Sequence, residues 1–210
     1  SLGLLLALCG PVAQTVQSTG FGVNLANALI ISPVGQIVML ALPLVMLMTL
    51  FAGAALIEAA TYIILALALA PFLEEIGFNR MAAHMFIYYY AVFATLSPPI
   101  AITASAACKI ADCNFWDTCW HANKLAFIGL VVPFVFIFNP VLLQFPRFSL
   151  PLLVTFGLLL VSLVLLSASF WGWFVNLLSV YDRLVLAAAG VILLAAAAAY
   201  RADLMAVGLA

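Results

Sequence analysis

No Lys, Arg, Asp, Glu or His occurs before Glu58, and no further carboxylate follows until Glu74. Other charge-free stretches cover Met81–Cys108 (apart from His84), Leu125–Pro146, Phe148–Tyr181 and Leu184–Tyr200. A helix that crosses a bilayer needs about 20 mostly apolar residues. Hydrocarbon offers no partner to backbone N–H and C=O groups, so only helices and closed barrels span it. Barrel strands alternate polar and apolar residues, and these continuous apolar blocks do not. The expected fold is therefore all-α, a polytopic transmembrane helix bundle. Charged residues make up 6% of the chain, against about 25% in soluble domains. The net charge of −1 argues against nucleic acid as a partner, which needs clustered Lys and Arg.

The four cysteines, Cys9, Cys108, Cys113 and Cys119, are too scattered for a disulfide framework. Cys113, Cys119 and His121 match no usual zinc spacing, so no metal site is expected. The chain opens Ser-Leu-Gly, with neither Met nor a basic leader. It reads as a fragment that begins at an internal position.

Several interruptions divide the apolar blocks. Residues 2–31 would form a straight helix of about 45 Å at 1.5 Å per residue, longer than the hydrocarbon is thick. A break around Thr19-Gly20-Phe21-Gly22 resolves this, and Ser32-Pro33 supplies a helix start. Residues 34–73 read as two helices, Val34–Leu50 and Ala59–Ala70, meeting at 51–58 in a re-entrant hairpin whose tip lies within the membrane. Two full spans fit less well, because the second would stop at Pro71. A surface loop follows at 71–80. Pro98-Pro99 cannot continue a helix, which splits the next span into half-helices at about 83–94 and 99–108. Lys109–Lys124 is a polar connection, with Trp116 and Trp120 placed as interfacial anchors on one helix face. Leu125–Leu143, Leu150–Phe170 and Leu184–Ala199 are further spans, with an interfacial connection at Trp171–Arg183. Arg80, Arg147 and Arg201 fall on one side and Lys109, Lys124 and Arg183 on the other, so charge does not set the orientation.

Broken helices expose N–H and C=O groups at membrane depth, where transporters use them to hold anions and cations. The accompanying side chains are mild: Gln14, Thr15, Gln17, Thr19, Thr61, Thr95, Ser97, Thr103 and Ser105. Glu58 stands out, because a carboxylate at the bilayer centre costs about 2.5–3.5 kcal/mol on insertion scales and is usually functional. It is read as a proton carrier or as a holder of a cation or cationic group, the alternative being a hairpin tip that reaches water and leaves Glu58 merely solvated. His84, near a span end, is read as a partner for a backbone carbonyl or headgroup. No nucleophile–base set, P-loop or dinucleotide fingerprint is present, so an enzyme is not expected and no catalytic residue is named.

At these residues the chain resembles the large permease subunit of the tripartite ATP-independent periplasmic (TRAP) transporters, in its C-terminal part. Gly53–Ile64 (GAALIEAATYII) resembles the family's G-M-G-L-P-T-x-A-A-Y hairpin tip. Ala82–Tyr90 matches its A-A-H-x-F segment, Leu96-Ser-Pro-Pro-Ile-Ala its T-P-P-V-A break, and Asp117-Thr-Cys-Trp its K-T-G-W turn. Thr19-Gly20 matches the preceding T-G break, and Phe138-Asn-Pro-Val-Leu-Leu its closing segment. The tail is similar to that of the fused 4TM/12TM type that works with TAXI-class binding proteins.

The resemblance implies one half of an inverted-repeat, elevator-type secondary transporter in the bacterial inner membrane. Residues 1–145 would be the second-repeat transport module and 146–210 the accessory transmembrane helices. It implies symport of a small anionic organic acid delivered by a periplasmic TAXI-type solute-binding protein. Further partners are the remaining N-terminal part of the permease and the lipid bilayer. No cofactor is implied beyond the coupling cation, Na+ or H+, as a transported ion. Substrate and ion contacts carry over to Gly53, Leu56 and Glu58 at the tip and to Thr95, Ser97 and Pro98 at the break. Ala55, Ile57 and Glu58 replace the family's Gly, Pro and Thr, which puts a sodium site of the usual form in doubt. The alternatives are a passive channel and a membrane assembly subunit that does not transport.

Overall fold

The computed structural model describes residues 11, 14, 15, 18–32, 37–55, 58–96, 101–143, 150–174 and 178–206. Among these the regular structure is helical, with no strand. The α-helices are α1 (Phe21–Ile31), α2 (Val38–Ala55), α3 (Glu58–Glu75), α4 (Arg80–Phe93), α5 (Ile102–Ala111), α6 (Phe115–Ala126), α7 (Val132–Phe138), α8 (Leu150–Trp171) and α9 (Val180–Ala206). The chain divides into two compact units, Ser1–Ala126 and Phe127–Ala210.

In the first unit the break before α1 falls at Thr19-Gly20. Gly20 adopts a left-handed conformation with φ 63°, which glycine reaches without steric cost. The helix start expected at Pro33 lies outside the described residues, and α2 begins at Val38. Two differences follow in the expected hairpin. First, α2 does not stop at Leu50. The small residues Ala52, Gly53 and Ala54 continue the helix to Ala55; residues 56–57 of the expected tip lie outside the described set.

Second, α3 runs through Pro71 to Glu75. Pro71 removes one backbone hydrogen bond, but Phe72 and Leu73 just after it are fully buried, and that burial holds the last turn. The helix closes with a paired cap: Phe78 N donates to the Leu73 carbonyl at 3.1 Å and Gly77 N to the Glu74 carbonyl at 3.0 Å. Gly77 carries the positive φ of 102° that this cap requires. Each arm has 18 residues, about 27 Å long at 1.5 Å per residue. Arm length therefore no longer separates a re-entrant hairpin from a pair of spans.

The expected loop at 71–80 shrinks to four residues, Ile76–Asn79, because Asn79 already caps α4: its side chain accepts from Met81 N at 2.9 Å. The core of this unit is built where α4 meets α2 and α3. Phe86, Ile87, Tyr90 and Ala91 of α4, Leu69, Phe72 and Leu73 of α3, and Ala41, Leu42 and Val45 of α2 are all buried. Alanines at 68, 82, 83 and 91 let helix backbones come close, which is how helices associate where lipid supplies no hydrophobic drive. Beyond α4 the chain tightens into a 3-10 turn, Ala94–Leu96. The helix resumes at Ile102, so the expected break is present, with Ser97–Ile100 outside the described residues. α5 packs on α6 around Ala101, Ala104 and Cys119. Trp116 and Trp120 are both exposed on α6, as expected of interfacial anchors.

In the second unit the expected single span over Leu125–Leu143 is divided. A 3-10 turn covers Phe127–Val131, α7 follows, and another 3-10 turn covers Pro140–Leu143. Gly129, Pro133 and Pro140 explain this, since prolines lack the donor an α-ladder needs. α8 and α9 pair antiparallel. Arg183 Nε donates to the Ser169 carbonyl at 2.8 Å, Leu166 lies against Gly190, and Asn139 links Thr155 to Ala197. α9 begins at Val180, before the expected Leu184, and passes the expected end at Ala199 to reach Ala206. Among the described residues Phe115–Phe138, Leu152–Trp171 and Val180–Tyr200 are long and apolar enough to cross a membrane.

Candidate functional site

The first unit brings the end of the first hairpin arm onto the break after α4. Gly53, two residues before the last residue of α2, packs so closely that a Cβ there would lie 2.5 Å from Ala94 Cβ, 3.3 Å from Thr61 Cγ2 and 3.4 Å from the Ala91 carbonyl oxygen. Only a residue without a side chain fits between two helices at that separation. The contact joins α2, the first turn of α3 and the 94–96 turn. Thr61 and Ala94 are fully buried in it.

Thr95 occupies the 94–96 turn, half-buried. Its hydroxyl donates to the Val92 carbonyl at 2.7 Å, which helps to end the helix by offering a local partner. Its carbonyl accepts from the Thr103 hydroxyl at 2.9 Å, so the residues on either side of the double proline are tied together. The next carbonyl, Leu96 O, accepts from Asn123 Nδ2 at 3.1 Å, and the same nitrogen donates to Cys119 O at 3.0 Å. The last carbonyls of an α-helix have no partner within it; here a threonine from α5 and an asparagine from α6 supply partners. A carbonyl oxygen has two lone pairs, so each of these oxygens retains capacity for a cation.

Glu58 is the first residue of α3 and is exposed, in the first turn, where helix N–H groups favour an anion. Gly53 and Thr95 are therefore brought into one region, with Glu58 three residues from buried Thr61. Leu56, Ser97 and Pro98 lie outside the described residues. Thr61, named above among the mild polar side chains, is fully buried, and Asn123 is an addition. Asn123 gave no signal beyond being one polar residue of the polar connection Lys109–Lys124.

A second polar group lies along α3 and α4. The Tyr62 hydroxyl and His84 Nδ1 are hydrogen-bonded at 3.2 Å. His84 Nε2 is 4.0 Å from Glu74 Oε1, and Arg80 Nε is 3.7 Å from the same oxygen. Tyr62 also meets Tyr88 edge-on, with ring centroids 5.5 Å apart. His84 thus takes a tyrosine hydroxyl as its partner where a backbone carbonyl or headgroup was expected. Among the described residues no group of three or more His, Cys, Asp or Glu could hold a metal ion.

The arrangement offers carbonyl oxygens at a helix break, a close-packed joint and one carboxylate at a helix start. Comparison with known proteins gives one family whose model matches residues 1–149, described as "Tripartite ATP-independent periplasmic transporter, DctM component". No curated protein and no solved structure matches the chain.

Proposed function

We propose a transport mechanism from the premise that the chain belongs to the family of the DctM component of tripartite ATP-independent periplasmic transporters. Membership makes it a membrane permease component of such a transporter, from a family of transporters and not of enzymes. The finer reading is ours: ion-coupled symport, with Na+ or H+ as the coupling ion, of a small organic anion delivered by a periplasmic TAXI-type binding protein. The site lies in the bacterial inner membrane, and the hairpin arms move with the broken helix as an elevator.

The observation that carries this reading is the joint at Gly53. It locks the end of the first arm to the 94–96 turn, so the two features move as one body. The Thr95 and Leu96 carbonyls face their partners beside that joint, and backbone carbonyls are what discontinuous transporter helices use to hold coupling cations. Gly53, Leu56, Glu58, Thr95, Ser97 and Pro98 are the residues assigned to substrate and ion contact.

The test is solute uptake by the full-length permease, reconstituted with its binding protein, under separately imposed sodium and proton gradients. Uptake should rise with one gradient and respond little to the other. Uptake indifferent to both would overturn symport. Glu58→Gln should reduce coupled uptake at least tenfold or change its pH dependence, and an unchanged profile would remove Glu58 from the ion site.

A further inference from the structure

The corner between α5 and α6 carries a pair of thiols that transport does not use. α5 ends at Ala111, and Asp112 turns the chain in the left-handed region, φ 49° and ψ 51°, a conformation that Asp tolerates better than most residues. Cys113 N then donates back to the Cys108 carbonyl at 3.2 Å. Asp112 N donates to the same carbonyl, and together the two bonds draw the residue after the turn toward the accepting residue in the last helical turn. Both of those residues are cysteines.

The two thiols face each other's backbone. Cys108 Sγ points at the Cys113 carbonyl, and Cys113 Sγ lies 3.9 Å from the Cys108 carbonyl and 3.0 Å from the Thr118 hydroxyl, a neighbour the thiol leaves when it reacts. Both are free; Cys108 is half-buried and Cys113 exposed. The hydrogen bond from Cys113 N to the Cys108 carbonyl closes the backbone between them into one turn, the short separation that an intramolecular disulfide requires. Cys119, the other described cysteine, is buried in the α5–α6 contact.

We propose that Cys108 and Cys113 are a modification site, a dithiol that a disulfide-bearing or azo oxidant converts to an intramolecular disulfide. The Cys113 thiolate attacks one sulfur of a disulfide oxidant, whose other sulfur leaves as a thiolate, or adds to one nitrogen of an azo oxidant, whose other nitrogen takes a proton. Cys108, deprotonated, then attacks Cys113 Sγ and releases the second sulfur as a thiolate, or the hydrazine nitrogen, which takes the second proton. One S–S bond forms in the protein, while the oxidant loses its S–S bond or has its N=N bond reduced to N–N. Two electrons and the two cysteine protons end on the oxidant, as thiols or as a hydrazine. The bridge closes the turn covalently and pins the start of α6, the helix that carries Asn123 to the Leu96 carbonyl.

The experiment treats the full-length protein in membranes with diamide, quenches with an alkylating maleimide and maps the peptides by mass spectrometry. Expected is one peptide containing both Cys108 and Cys113, lighter by two hydrogens, unlabelled and restored by dithiothreitol, with loss of labelling at both residues together. In Cys108→Ser, Cys113 should remain open to the maleimide. Labelling of both cysteines after diamide would overturn the proposal. So would an intermolecular dimer through Cys113, or protection of Cys113 that persists in Cys108→Ser.

Discussion

Replacing Gly53 by Ala adds one methyl group at the joint between the first hairpin arm and the broken helix. That methyl would stand 2.5 Å from Ala94 Cβ, whereas apolar carbons rest about 3.5–4.0 Å apart. Ala94 Cβ is fixed to its backbone, so no rotamer relieves the overlap and α2 or the 94–96 turn must shift by about 1 Å. Overpacking of this kind costs about 1–3 kcal/mol. Gly53 is helical, so alanine there also returns about 1 kcal/mol of helix propensity. The net loss is about 0–2 kcal/mol, too small for the single variant to decide the matter.

The cycle with Ala94→Gly isolates the clash, because it removes the opposing methyl and leaves the propensity difference untouched. Thermal unfolding of the detergent-solubilised protein measures it, and for a chain of this size 1 kcal/mol moves Tm by about 2–4 °C. The double variant should be more stable than the sum of the singles by at least about 1 kcal/mol, the range found for residues in contact. Additive shifts, or a Gly53→Ala variant that gains the full propensity increment, would refute the close approach at this joint.

Four further outcomes follow from the same geometry. Asn123→Ala removes the donor to Leu96 O and Cys119 O and should cost about 1–2 kcal/mol, with faster amide exchange in the 94–96 turn than in α4. Asn139→Leu removes the bond from Nδ2 to Ala197 O at 2.8 Å within a fully buried site. It should cost about 1–3 kcal/mol, seen as a lower Tm, while Asn139→Gln should recover little because its longer arm cannot keep both partners. Tyr62→Phe deletes the hydroxyl bound to His84 and should cost about 0.5–1.5 kcal/mol. Arg80→Ala, at an 81% exposed side chain, should shift Tm by less than about 1 kcal/mol allows.

Much of the organisation was legible in the residues. The Thr19-Gly20 break, the Gly77–Asn79 turn and the interruption at the double proline depend on local backbone chemistry. A glycine at positive φ, an asparagine cap and a missing N–H act wherever they stand. Helix ends were less legible where burial outweighed local preference. α3 passes Pro71 because Phe72 and Leu73 are buried, and α2 keeps Gly53 helical because that position packs against Ala94. At Leu125–Leu143 the error ran the other way: mean apolarity concealed Gly129 and Pro133, which local chemistry turns into a 3-10 segment.

By itself the sequence determined the solvent, the secondary structure and the family. Thirteen charges in 210 residues leave few ways to satisfy a backbone other than helices in lipid, and the motifs around the hairpin and break are short enough to survive without their surroundings. Only the tertiary structure decided which interruptions meet. The contact of Gly53 with Ala94 spans 41 positions of sequence, and the Asn123–Leu96 bond spans 27. Periodicity and propensity act over a few turns and carry no information about such pairs. Their separation is set by how small residues let α2, α3 and α4 approach, a property of the packed helices together and of no one helix alone.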